Sequence, residues 1–231
     1  MLFGQVLRGT DLVRDIESLS LDEYSKPTVP VIIADCGELA PGQDDGVVVD
    51  PRDPYPAWPL DCPQGLQVSD KIAVAAVVRE RGNELFKQQQ WCKAVDKYSK
   101  ALRYIEEDFA TPAEEEQMAQ ARVPALLNRA AAYLKVFTAK AQDASAATYG
   151  ERAMADLESV LSVQPDNAKA IMRKGQVMLQ RGEVEQALPL LVRAQALLPQ
   201  DKALAALVAN TRKATNADLK KQAQALKSMF A

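Results

Sequence analysis

ERAMADLESVLSVQPDN at Glu151–Asn167 and EQALPLLVRAQALLPQD at Glu185–Asp201 are one pattern written twice. Ala153 aligns with Ala187, Leu157 with Leu191, Val160 with Ala194 and Pro165 with Pro199, each pair 34 positions apart. A fixed period of that length marks a supersecondary unit that stacks on copies of itself. Upstream, Gly82, Ala94, Tyr98 and Ala101 fit the same template, and Gly82 precedes Ala94 by 12 positions, as Gly175 precedes Ala187. Three repeats result, at about 75–108, 120–167 and 168–201.

The small residues explain the template. Gly82, Gly175, Ala94, Ala153 and Ala187 are expected where the two helices of a hairpin cross, because only small side chains let the axes approach closely. A 34-residue helix-turn-helix unit resembles the tetratricopeptide repeat. That resemblance implies a right-handed superhelix whose concave side is lined by the first helix of each unit. The second repeat departs from the pattern: the interval from Asn128 to Ala153 is 14 residues longer than that from Asn83 to Ala94, so Phe137–Tyr149 must form a long loop or extended helix ends. Thr111-Pro112-Ala113-Glu114 reads as a capping box with proline at the first helical position, and Asp166-Asn167 and Asp201 are placed to cap later helices. Pro124 lies inside a helical run and predicts a kink or a late helix start.

Working outward, the chain from Lys71 onward is rich in Ala, Leu, Glu, Lys, Gln and Arg, so the fold is expected to be mainly α, with the repeats at 71–201 and a basic capping helix at 202–231. Residues 41–70 hold six of the thirteen prolines and six aspartates against the single Arg52, and read as an acidic, proline-rich linker. Residues 1–40 read as strand, helix, strand: β-type runs at Leu2–Val6 and Val29–Ala34 flank a short helix near Asp11–Ser20.

Composition narrows the function. The formal charge is −3, so no chain-wide basic field favours nucleic acid or a membrane surface. Cys36, Cys62 and Cys92 form no CxxC pair, which argues against a zinc site or a disulfide framework and for a reducing, cytoplasmic setting. Cys36 is expected in a buried strand and Cys92 in packing beside Trp91. The chain has no histidine, which removes the usual general base and the HExxH metal helix, and its ten glycines form no phosphate-cradling loop. No cofactor and no metal are expected.

What remains is recognition. Arg79 and Asn83 stand four residues apart on the first helix of repeat one, and Lys169 and Arg173 stand four apart on the first helix of repeat three. Asn128 takes in repeat two the place of Asn83. Five side chains so arranged suit a peptide whose terminal carboxylate and last acidic side chain need charge-assisted hydrogen bonds. Phe86 is a candidate groove wall for an apolar side chain, whereas Leu85, Trp91, Tyr98 and Leu102 read as core.

Asn83, Asn128, Lys169 and Arg173 resemble the carboxylate clamp of tetratricopeptide co-chaperones that bind the Glu-Glu-Val-Asp tail of heat shock protein 90, or of the seventy-kilodalton chaperone. Arg79 stands where that family usually has lysine and presents a planar fork in place of a point donor. LFGQVLRGTDLVRDIESL with VIIADCGEL is similar to the last strand, helix and strand of a cyclophilin barrel, and the closing KSMFA is similar to the end of the forty-kilodalton cyclophilins, or peptidyl-prolyl isomerase D family. That resemblance implies a co-chaperone coupling chaperone docking to prolyl isomerisation. The family's catalytic positions precede the FGQV strand, so no isomerase activity is expected of these 231 residues, and residues 1–40 are expected to lack partners for their strand edges. Three alternatives stay open: an isomerase if a longer chain carries the catalytic half, a scaffold reading internal peptide motifs, and calmodulin binding by the basic C-terminal helix.

Overall fold

Thr111 accepts a hydrogen bond from the backbone N–H of Glu114 and its hydroxyl donates to the Glu114 carboxylate, so the helix begins at Pro112, where the sequence signal puts it. Asn167 caps the Ala170 N–H and Asp201 the Leu204 N–H in the same way. Between such signals the computed structural model, which describes residues 4, 6, 9–17, 19–43, 50–59, 66–106, 111–143 and 146–229, places eight helices. They are α1 Thr10–Glu17, α2 Val68–Lys87, α3 Trp91–Arg103, α4 Pro112–Ala139, α5 Ala146–Val163, α6 Ala168–Gln180, α7 Val184–Leu197 and α8 Lys202–Met229.

Helices α2/α3, α4/α5 and α6/α7 form three stacked hairpins, α8 packs on α7, and the first helices of the hairpins touch in sequence, α2 to α4 and α4 to α6. The small residues do what the repeat requires. Ala94, Ala153 and Ala187 are fully buried, a Cβ added to Gly82 would lie 2.6 Å from the Tyr98 ring, and one added to Gly175 would lie 2.8 Å from Leu191. Gly82 and Gly175 therefore set how closely each hairpin closes. The turns match as well: Gly182 turns the α6/α7 hairpin at φ 81°, and Gln89 turns the α2/α3 hairpin at φ 61°, a left-handed conformation that costs a non-glycine residue about 1 kcal/mol.

The long second repeat is resolved as longer helices. Helix α4 runs 28 residues and α5 18, against 20 and 13 for α2 and α3. Pro124 lies exposed inside α4, which continues through it, so the repeat begins at Pro112 and the late start is not found. Inside this hairpin Arg129 forms a bidentate pair with Asp156 and reaches Ser99 of α3, satisfying a buried carboxylate that would otherwise be costly.

Two expectations fail. Among the described residues no strand forms, and of the β-α-β element only the helix is present. Val29–Ala34 is irregular, with Ile32 81% and Ile33 86% exposed, because an extended run with no neighbouring strand has neither ladder partners nor an apolar face to cover it. Cys36 is accordingly exposed, as is Cys92; Leu2–Val6 lies largely outside the described residues, as does Cys62.

The acidic segment is the second failure, because its described part is packed. Residues 50–59 lie along the first hairpin. The Asp53 carboxylate, with no exposed side-chain surface, sits between the ammonium groups of Lys97 and Lys100, the latter at 2.7 Å. Lys100 also donates to the Tyr55 carbonyl at 2.5 Å, Arg103 to that of Ala57 at 2.8 Å, and the Tyr104 hydroxyl to that of Pro56 at 2.7 Å. Arg103 stacks over Trp58 and Arg81 pairs with Asp50. Proline-rich chain cannot form a helix or an inner strand, but its carbonyls remain acceptors, and α3 supplies the donors.

Candidate functional site

Asn83 and Asn128 meet across the α2/α4 contact. The Asn128 amide donates to Asn83 Oδ1 at 2.8 Å, and the Tyr98 hydroxyl donates to the same oxygen at 2.9 Å. With its oxygen doubly engaged, Asn83 has only its amide N–H groups to offer, and Nδ2 donates to the Glu80 carboxylate at 2.8 Å. Burial pushes the Tyr98 phenol up to about 12, so it remains a donor throughout the neutral range. Reading Tyr98 as core is half right: its ring packs against Gly82 while its hydroxyl fixes Asn83.

Arg173 reaches the same place from α6. Its guanidinium donates to the Leu127 carbonyl at 2.7 Å, next to Asn128, and burial pulls it below the usual arginine range. Arg79 and Arg173 both act on the Tyr98 phenol electrostatically, which places the α2 cation on the same surface. A compartment of about 190 Å³ is lined by Asn83, Phe86, Lys87, Tyr98, Asn128, Ala131 and Arg173. Of the six residues the sequence singles out, four therefore share one concavity.

Arg79 and Lys169 do not line this compartment. Arg79 lies half-buried one turn before Asn83, and Lys169 is exposed in the first turn of α6. Neither makes a hydrogen bond or ion pair with a described residue, so both are available to a ligand at the rim. Phe86, read as a groove wall, is one. It separates the small compartment from a larger one of about 510 Å³, lined by Ala131, Leu134, Lys135, Thr138, Arg173, Gln176, Leu179, Gln180 and Leu207 as well.

Sequence reasoning missed the groove's remaining cations. Lys135 follows Asn128 by seven positions and Ala131 by four, which puts the three on one face of α4, so the signal was helical spacing. Lys87 adjoins Phe86 at the end of α2. No acid lines either compartment among the described residues. The surface is thus cationic and amide-rich, built to hold an anion against an apolar wall, and its electrostatics offer no proton-transfer pair.

Known proteins agree with this fold. Residues 150–211 match the family profile described as Tetratricopeptide repeat. The C-terminal TPR-containing domain of an FK506-binding protein of Plasmodium falciparum superposes with a TM-score of 0.54 at 22% identity, over 67% of this chain and 97% of that one. The Hsp90 co-chaperone Cns1 from Saccharomyces cerevisiae superposes with a TM-score of 0.52 at 20% identity, over 69% of this chain and 45% of that one. At these identities the likeness is one of fold: the described hairpins form a tetratricopeptide-type array. No helix among the described residues is long and apolar enough to cross a membrane.

Proposed function

We propose that the groove holds the free C-terminus of an acidic peptide, and that its natural ligand is the cytosolic chaperone tail ending in Glu-Glu-Val-Asp, that of heat shock protein 90 ahead of the seventy-kilodalton chaperone. The observation that carries this reading is the hydrogen-bonded Asn83–Asn128 pair beside Arg173, a desolvated cation with no acid for a partner. Glu80 already places a carboxylate on the Asn83 amide, the chemistry an incoming ligand would use when it replaces Glu80. Arg79 and Lys169 stand at the rim to pair with the second carboxylate. The superposition on an Hsp90 co-chaperone supports the scaffold, and the residues support the ligand.

A fluorescently labelled peptide ending in Glu-Glu-Val-Asp should bind the full chain at about 1 µM, or about −8 kcal/mol. Amidating the peptide's C-terminus should abolish binding, and Arg173→Ala should weaken it more than tenfold, the scale of one charge-assisted hydrogen bond. Equal affinity for the acid and the amide would sink the clamp reading and favour a scaffold for internal motifs.

A further inference from the structure

The larger compartment beyond Phe86 is too roomy for the last residue of a peptide and is differently furnished. Its floor is apolar, from Phe86, Leu134, Leu179 and Leu207, and its polar rim comes from Thr138, Gln176 and Gln180. Lys135 stands over it with no hydrogen bond or ion pair to a described residue, and it shares the compartment with Arg173, whose only described partner is a backbone carbonyl. An exposed lysine on a helix is ordinarily just solvated surface. Here it lies on the Asn128 face of α4, in a concavity that holds a second cation and no described acid, so the potential in this part of the groove is positive.

We infer that Lys135 reads an acidic side chain upstream of the ligand's terminal residue, while the apolar floor takes the aliphatic side chain beside it. The inference rests on the carboxylate reading above and adds a second determinant to it. The seven residues from Asn128 to Lys135 span about 10 Å of helix, and an extended chain covers that in about three residues. The ligand is thus a C-terminal peptide with an acid about three residues before its last, next to an aliphatic residue. A peptide with lysine at that position places like charges together and is disfavoured.

The test compares free-acid peptides that differ only in one upstream residue, Glu, Gln or Lys, walked position by position, titrated into the full chain and into Lys135→Glu. Wild type should prefer Glu to Lys at one position by about two- to fivefold, as befits an exposed ion pair, and the preference should shrink at high salt. Lys135→Glu should invert that preference and leave the discrimination between acid and amide unchanged. If the free acid binds but Lys135→Glu leaves every upstream preference as it was, the inference is overturned and the clamp stands. If no free-acid peptide binds wild type, the clamp itself has failed and this inference goes with it.

Discussion

The first hairpin is cationic on two sides, and the two sides have opposite fates. On the flank of α3, Lys97, Lys100 and Arg103 are occupied by the chain's own residues 50–59: a buried carboxylate, three carbonyls and the Trp58 ring. On the groove side, Arg79 and Lys87 of α2, with Lys169, Arg173 and Lys135 of the neighbouring helices, meet no acid among the described residues. Charge of one sign thus serves stability where the chain supplies the counter-charge and recognition where it does not. The difference lies in connectivity, since residues 50–59 lead into α2 and so stay close to α3, whereas nothing so tethered lies in the groove.

The largest effect that separates the two sides is Asp53→Ala. It leaves Lys100, 57% of the way into the protein interior and with its ammonium held below the usual lysine range by that burial, without its counter-ion. Breaking one partner of a buried pair costs about 3–5 kcal/mol, which urea unfolding of the full chain would read directly. Peptide affinity of the folded fraction should stay within about twofold, since Asp53 touches no groove residue. A stable Asp53→Ala protein would mean that residues 50–59 merely rest on the hairpin.

On the other side, Lys169→Ala should reverse the balance. The side chain is exposed and bonded to no described residue, so stability should hold within about 0.5 kcal/mol. Affinity for a free-acid peptide should fall by about 1.5–3 kcal/mol, the worth of a hydrogen bond to a charged group. Unchanged affinity in the same titration would remove Lys169 from the site and leave Arg173 and the asparagines as its core.

These contrasts also mark what the sequence could reveal. The repeat, its crossing glycines and its caps were legible because they are local or periodic: Thr111 needs only Glu114, and Gly82 announces itself by its distance from Ala94. Asn83, Asn128 and Arg173 were legible because template positions carry over from one repeat to the next. The docking of residues 50–59 was not, since Asp53 and Lys100 are 47 positions apart and nothing in a proline-rich run says whether its carbonyls face water or α3. Val29–Ala34 failed for the opposite reason. Its β-branched run has strand propensity, but propensity is realised only against a partner strand, and the described residues provide none. Lys135 was overlooked because it falls outside the positions that the repeats share.

The smallest effect probes the joint between packing and recognition at Tyr98. Its ring closes the first hairpin against Gly82, and its hydroxyl holds Asn83 from behind. Tyr98→Phe keeps the ring and removes one donor, while Asn83 Oδ1 keeps its second bond, from Asn128. Stability should fall by about 1 kcal/mol, the net worth of one such bond. The groove should feel it too, because a less restrained Asn83 presents its amide less often in the binding geometry, and affinity for the free acid should weaken about two- to threefold with the amide still excluded. A loss of stability with affinity untouched would mean that Asn128 alone orients Asn83, and that the hairpin core and the groove are energetically separate although they share a residue.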